Sequence, residues 1–421
     1  MVKNVLYLSY DGMTDPLGQS QVLPYIIGLT KKGFHFHLIS FEKPDRFLAH
    51  KKDILKICYE NNITWVPMLY TKRPPLFSTI WDVWRMKRKA SELNKEYSFS
   101  MVHCRSYLSA LIGLSMKRRF KTAFLFDMRG FWADERVDGN IWNLKNPIYR
   151  WVYNYFKRKE KIFFSTADHI ISLTNEGKRE ILSWNGFENL TNKISVIPCC
   201  VDIVKFDKKR VSAEMLKVKK LELGINDSQF IMGYVGSIGT WYMLEEMLSF
   251  YKRSSNSLTD PLFLFVTKEN PKDIYKLSDD LEIPRNEIIV TSCNHTDMPL
   301  YMSLFSCSIF FIKPVYSKKA SSPTKQGELM AMGIPIMCND KVGDTAGIVR
   351  KYNSGLVISS DKINKFMALQ FNVGRSEIWG LQYHPEIPYE YMIKLIKHRS
   401  KGLIDKNVFK DVNEVNSHIE V

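Results

Sequence analysis

None of the seven cysteines forms a Cys-x-x-Cys pair, which excludes a zinc ribbon or a dithiol redox centre built on that spacing. Their odd number and scatter, with only Cys199 and Cys200 adjacent, suit core-filling thiols in a reducing compartment. No uncharged apolar run approaches the ~20 residues that span a bilayer. The longest, Leu304 to Ile312, is interrupted by Ser306 and Ser308 and suits a buried strand. Met1-Val2-Lys3-Asn4-Val5 runs straight into a strand-like segment, without the apolar stretch and small-residue cleavage site of a signal peptide. The expected location is therefore cytoplasmic, with the inner face of the membrane as a docking surface for a peripheral protein. The loop after the first strand also lacks Gly-x-Gly-x-x-Gly, so a dinucleotide fingerprint is not supported there.

The chain has 421 residues, too many for one ordinary core, and two domains plus extra segments are expected. Hydrophobic residues make up 45% and aromatics 13%, the composition of a globular protein. The formal net charge of +16 calls for an anionic partner: a nucleotide, an acidic lipid surface or a nucleic acid. Nucleic acid ranks last, because no recognition motif accompanies the charge.

Apolar runs alternate with helical spacing along the chain. Strands are predicted at Asn4 to Ser9, Phe34 to Phe41, Ile63 to Leu69, Ser100 to His103, Ala123 to Asp127, His169 to Leu173 and Lys193 to Ile197. Helices are predicted between them, at Gln21 to Lys32, Ser78 to Lys95, Asn146 to Ser165 and Asn175 to Ser183. This is the pattern of a parallel, doubly wound sheet. A charged stretch, Lys205 to Asp227, reads as a linker region. The alternation then restarts with strands at Phe230 to Tyr234, Leu262 to Val266, Glu287 to Val290 and Ser308 to Ile312. The fold class is α/β, two similar doubly wound halves with a cleft between them, where such sheets bind ligands at their strands' carboxyl ends.

The segment Ser321 to Met337 draws the chemistry together. Small polar residues and Pro323 open a short helix from about Thr324 to Met332, stopped by Gly333 and Pro335 and followed by a strand at Ile334 to Met337. A helix mouth of this kind offers free N–H groups and the positive end of a dipole to an anion. Glu328, one turn in, is placed to accept hydrogen bonds from sugar hydroxyls. The same residues also describe an ordinary capped helix packed on a sheet. Gly236, Ser237 and Gly239 follow the first strand of the second half, where glycines let amides approach a phosphate.

In the first half, Phe126 to Arg136 mixes Asp127, Arg129 and Asp134 with aromatics beside a strand end, and His103 and Arg105 occupy the preceding one. Basic residues are dense between Lys72 and Lys121, with Trp81 and Trp84 on the same helix as several of them. Trp151, Tyr155 and Phe156 precede Lys157-Arg158-Lys159 on another. Such helices suit an anionic membrane interface, and equally an inward aromatic face with a solvated basic side.

These segments resemble retaining glycosyltransferase family 4, whose GT-B fold sets two Rossmann-like domains face to face. Val196 to Asp202 resembles the family's I-P-N-G-V-D, Tyr234-Val235-Gly236-Ser237 its Y-V-G-R, and Glu328 to Pro335 its E-A-M-A-x-G-x-P. The segment Pro16 to Gly33 is similar to its N-terminal glycine loop and helix. The resemblance spans about residues 3–360. It implies an N-terminal acceptor-side domain over 1–205 and a nucleotide-sugar-binding domain over 206–365. It also implies that Gly236 and the amides of Thr324 and Lys325 hold the donor diphosphate and that Glu328 takes the ribose. Gly18 and Gln19 would then shape the cleft, with Asp127 to Asp134 facing donor sugar and acceptor. The implied activity is transfer of a sugar, with retention, from a nucleotide-sugar to a glycan or lipid-linked acceptor in surface polysaccharide or glycolipid synthesis, of hexosyltransferase type. The chain has no Asp-x-Asp pair, which agrees with a metal-independent, cofactor-free reaction.

Departures from the family pattern are specific. The first Glu of its E-x7-E motif is Ala320, its phosphate-binding Arg and Lys fall at Ser237 and Tyr242, and its Asn-Gly is Cys199-Cys200. Lys325 is the cation available to replace them. Residues 366–421 are a foreign tail in which Trp379 to Glu386 resembles the C-terminal motif of class I glutamine amidotransferases, with His384 and Glu386 as its His and Glu. No cysteine lies in a Gly-x-Cys-x-Gly elbow to serve them. Two competing readings are a catalytically impaired nucleotide-sugar or anionic-surface binder and an amidotransferase-related component.

Overall fold

The computed structural model describes residues 3–365 and two short antiparallel strands, Phe371–Val373 and Ser376–Ile378. The amidotransferase-like motif, with His384 and Glu386, lies outside the described residues.

Strand β1 (Lys3–Ser9) is buried on both faces from Val5 onward, as expected of a central strand covered by helices on each side. It lies in a parallel sheet with β2 (Phe34–Glu42), β3 (Ile63–Leu69), β4 (Met101–Arg105), β5 (Ala123–Asp127), β6 (His169–Ser172) and β7 (Ile194–Val196). The order is β3-β2-β1-β4-β5-β6-β7, so the chain reverses direction across the sheet between β1 and β4. The second sheet repeats the plan with β8 (Phe230–Val235), β9 (Pro261–Val266), β10 (Ile288–Thr291), β11 (Cys307–Phe310), β12 (Ile336–Asn339) and β13 (Gly355–Ile358). Its order, β10-β9-β8-β11-β12-β13, puts the reversal between β8 and β11. Two doubly wound halves are thus confirmed. Each reversal opens a crevice at the strands' carboxyl ends.

Three elements differ from expectation for identifiable reasons. The helix predicted from Gln21 begins earlier, as Pro16–Gln21, breaks at Val22 and resumes as Leu23–Thr30, because Pro24 has no N–H for the ladder. The stretch read as a linker holds a helix, Ala213–Leu223, capped by Ser212 Oγ and ended by Gly224 at φ +68°. It buries no residue, so it carried no hydrophobic stripe to reveal it. The strand expected at Ile334 starts at Ile336. Gly333 (φ +68°) and Ile334 first close the preceding helix, their amides donating to the carbonyls of Met330 and Leu329. That is a Schellman turn, and it consumes the two residues.

All seven cysteines are free, and Cys58, Cys104, Cys307 and Cys338 are buried as core fillers. The halves are fastened by the turn Tyr316–Ala320. Thr174 Oγ1 donates to the Lys319 carbonyl at 2.6 Å, Lys318 Nζ reaches Glu135 at 2.7 Å and Lys319 Nζ reaches Glu180 at 2.7 Å. Asp344 accepts from the amides of Asn175 and Glu176, capping a first-half helix from the second half. Ala320 itself packs into the first half's hydrophobic core.

Candidate active site

The crevice of the second half forms where β8 ends. Gly236 turns the chain at φ +103°, and a Cβ there would lie 3.3 Å from Lys325 Nζ, so only glycine suits both the conformation and the approach. The facing helix, Thr324–Ala331, begins after Pro323 with no side-chain cap on its first turn. Lys325, its second residue, is buried, and its ammonium has no hydrogen-bond partner. It lies 3.8 Å from the Tyr242 ring centroid and 4.1 Å from that of Tyr234. Those aromatic faces partly compensate its charge. Burial holds the Lys325 pKa well below the ordinary lysine range, with Glu328 acting in the opposite sense.

Glu328 is buried one turn further on, and its Oε1 lies 3.3 Å from His295 Nε2. Lys205 Nζ meets His295 Nδ1 from the other side. Burial lowers the Lys205 pKa, against the pull of Glu328. Sequence reasoning missed both partners: His295 stands in a loop after β10, and Lys205 sat in the presumed linker. Ser237 turns its hydroxyl to Glu269 at 2.6 Å and receives the Gly239 amide at 3.3 Å, so the Gly236–Gly239 loop is tied to itself and to the β9 end.

Across the cleft, Asp127 ends β5 and is buried between two arginines and an imidazole. His103 Nε2 lies 3.5 Å, Arg105 Nη1 4.0 Å and Arg129 Nη1 3.9 Å from its carboxylate. Burial alone would raise its pKa, but Arg129, His103 and Arg105 outweigh it and hold the carboxyl below its usual range. Arg129, at φ +57°, donates Nη2 to Cys199 Sγ at 3.3 Å, and the Cys199 amide donates to Ser322 Oγ at 3.1 Å. A continuous path therefore joins Asp127 to the helix mouth of the other half.

Asp134 does not share this cluster. Its two oxygens accept from Tyr153 and Lys157, each at 2.8 Å, on the helix Pro147–Thr166, so it braces that helix. Gly18 is required where it stands, since a Cβ would come within 2.2 Å of the Gly12 carbonyl oxygen. Exposed Gln19 merely ties back to the Thr14 carbonyl at 3.3 Å. The loop they belong to is organised by a residue not foreseen, buried Glu42, which accepts from the amides of Met13 and Thr14 and the hydroxyls of Thr14 and Ser40. Beside Asp127 opens a cavity of about 610 Å³ lined by Tyr10, Lys72, Arg105, Arg129, Trp132 and Arg136, among others. Among the described residues, no group of three or more His, Cys, Asp or Glu gathers as a metal site, and no helix is long and apolar enough to cross a membrane.

Two facing Rossmann-like domains with a crevice at their strands' ends define the GT-B class. The first half matches the family model described as Glycosyltransferase Family 4 over residues 22–205, and the second matches Glycosyl transferases group 1 over residues 217–369. The chain carries both domains of a glycosyltransferase. Among solved structures it is similar to sucrose-phosphate synthase from Thermosynechococcus elongatus, at 14% identity and a TM-score of 0.63, covering 86% of this chain and 87% of that one. Anabaena HepE in complex with UDP and glucose matches at 11% identity and a TM-score of 0.61, covering 86% and 89%. WaaG, a glycosyltransferase involved in lipopolysaccharide biosynthesis, matches at 12% identity and a TM-score of 0.56, covering 86% and 88%. A sequence search of curated proteins returned no match.

Proposed function

We propose that the protein transfers a hexosyl group, with retention, from a nucleotide-sugar to an acceptor held by the first half. The observation that carries this reading is Lys325: a buried ammonium without a partner, beside the Gly236 turn and at an uncapped helix start. A diphosphate placed there would receive the Ser237 and Ile238 amides that follow Gly236, whose own N–H donates to the Val266 carbonyl at 3.0 Å, the Thr324 and Lys325 amides, and the Lys325 side chain. Glu328, held by His295, accepts from the ribose. The anomeric carbon's bond to the diphosphate breaks as its bond to the acceptor oxygen forms, and the hydroxyl proton passes to the departing diphosphate. The leaving charge is met by main-chain dipoles and Lys325, with no metal or cofactor assigned a part. HepE, which matches in fold, is seen with UDP and glucose, and this supports a nucleotide-sugar as the donor class.

Asp127, Arg129, His103 and Arg105 form the acceptor-facing wall in this reading, and an anionic membrane surface is a further partner of this half. The protein acts as a peripheral cytoplasmic enzyme of surface polysaccharide or glycolipid synthesis in this reading. In this reading the acceptor-side domain runs over 1–205 and the nucleotide-sugar-binding domain over 206–365.

The test is calorimetric titration of nucleoside diphosphates into wild type and Lys325→Ala. Losing the buried Lys325 charge beside the diphosphate costs about 2 kcal/mol or more, a weakening of ~30-fold. Unchanged affinity would reject the assignment. A second reading, donor binding without turnover, is favoured by one observation. Ala320, where the family has its first glutamate, is wholly buried and packs against Gly177 of the first half. Nucleotide binding with no sugar released or transferred would support it. An amidotransferase component would need glutamine hydrolysis by the purified chain.

A further inference from the structure

Glu328 is not an isolated carboxylate. The segment leaving the first half, Val201 to Phe206, folds into a tight turn. Asp202 Oδ1 accepts from the amides of Val204 and Lys205 at 3.0 and 3.1 Å, and the Asp202 carbonyl accepts from the Phe206 amide at 2.9 Å. An aspartate bonded to the amides two and three residues on closes such a turn with its own side chain. Phe206, 2% exposed, anchors the far end in the core of the second half. Between these two fixed residues Lys205 is turned to the loop after β10, where its ammonium meets His295 Nδ1. The Phe206 ring also backs the imidazole, edge to face with centroids 5.6 Å apart.

The contact fixes the state of the imidazole. An ammonium has donors and no acceptor, so Nδ1 accepts and the neutral ring carries its proton on Nε2. Nε2 then donates to Glu328 Oε1, at 3.3 Å. The hydrogen bonds run in one sense, from Lys205 through His295 to a buried carboxylate. Among the described residues Glu328 Oε2 accepts no hydrogen bond, so one oxygen is held and the other faces a ligand. The His295 side chain is itself 44% exposed, and replacing it opens no core.

We propose that Lys205 and His295 are positioning residues that make Glu328 the reader of a ribose hydroxyl, so that preference for a ribonucleotide over its deoxy form is set by the three residues together. This rests on the proposed transferase function, which lays the ribose on Glu328. A carboxylate free to rotate accepts from whatever it meets, water included, and loses little when a hydroxyl is removed. One held through Oε1 presents Oε2 in a fixed direction. A ligand lacking the hydroxyl then leaves a charged oxygen desolvated and unpaired.

The test is calorimetric titration of UDP, GDP and ADP, then of the 2′-deoxy and 3′-deoxy forms of whichever binds wild type most tightly. Wild type is expected to favour the ribonucleotide about tenfold over the weaker deoxy form. His295→Phe keeps a ring against Phe206 without an N–H, and Lys205→Met keeps the chain without the charge. Each should bring the ratio to about twofold. His295→Gln, whose amide can still donate to Glu328, should restore most of it. In a Glu328→Gln background, His295→Phe should change the ratio by no more than about twofold. A wild type without ribose preference overturns the proposal, as does a loss of affinity shared equally by ribo and deoxy ligands, which would mark a merely structural part. Nucleotide binding with a wild-type ratio in both single variants sinks this inference and spares the donor site. Failure of all these diphosphates to bind wild type sinks the donor site as well.

Discussion

Lys325 Nζ sits 3.8 Å from the centroid of the Tyr242 ring, so the cation missing from position 242 is returned to nearly the same place from a different helix. In the family pattern that this chain resembles, the loop after the first strand of the second domain carries its own basic residues. Here the loop carries Ser237 and Tyr242, and the charge comes from the helix opposite. Because the ammonium is buried against aromatic faces, its protonation is sensitive to what enters the crevice.

Proton uptake on nucleotide binding is the first consequence. The Lys325 pKa is depressed in the free protein by burial, and a diphosphate beside it favours the charged form. Calorimetry in two buffers of different ionisation enthalpy should show protons taken up with the nucleoside diphosphate. Affinity should weaken as pH rises. Lys325→Met should abolish the uptake; identical uptake in that variant would place the titrating group elsewhere.

Restoring the family's first glutamate should do harm. Ala320 is wholly buried where the halves meet, and a Cβ on Gly177 would already be 2.9 Å from its methyl group. Ala320→Glu forces a carboxylate into that contact and should cost about 3 kcal/mol or more. Ala320→Ser should cost about 1 kcal/mol or less. Urea unfolding separates the outcomes, and an unchanged midpoint for Ala320→Glu would show that the fastening turn opens freely.

A pH effect on stability should arise far from the crevice. His37 is buried with neither ring nitrogen bonded, stacked on His35 at 4.7 Å and packed on Tyr97. Burial, then His35, pushes its pKa from 6.5 down to about 4, with Glu96 opposing. The folded chain therefore refuses a proton that the unfolded chain accepts. Stability is full above pH 6.5 and is lost as pH falls toward 4, by on the order of 3 kcal/mol. Melting temperatures of His37→Phe should lack that slope, and a slope equal to wild type would assign it to other groups.

Glu42 should prove indispensable to the glycine loop. Every partner of its carboxylate is a donor, so Glu42→Gln sets an amide N–H₂ against N–H and O–H groups. A loss of about 2–3 kcal/mol follows from orphaned buried donors. Hydrogen exchange at Met13 and Thr14 should quicken sharply, while amides of the second half stay unchanged.

The parallel halves were legible because strands such as β3 and β5 are predominantly apolar, interrupted only by Thr64 and closed by Asp127, and their predicted bounds match the observed ones. The helix Ala213–Leu223 was hidden because it buries nothing. At the crevice, Gly236, Lys325 and Glu328 announced themselves through a strand-to-helix turn and a helix start. His295 and Lys205 gave no local signal, since only the tertiary fold brings residues so distant to one carboxylate. Asp134 stands apart from the Asp127 cluster. Its neighbours in sequence suggested a site, but Tyr153 and Lys157, about a helix away, claim both oxygens.

The most direct test of the donor site is a structure of the protein crystallised with a nucleoside diphosphate. The account predicts a terminal phosphate oxygen within hydrogen-bond distance of Lys325 Nζ and of the Ser237 and Ile238 amides, with a ribose hydroxyl on Glu328. A nucleotide bound elsewhere, with the Lys325 ammonium still enclosed by Tyr234 and Tyr242 and touching no phosphate, would contradict it.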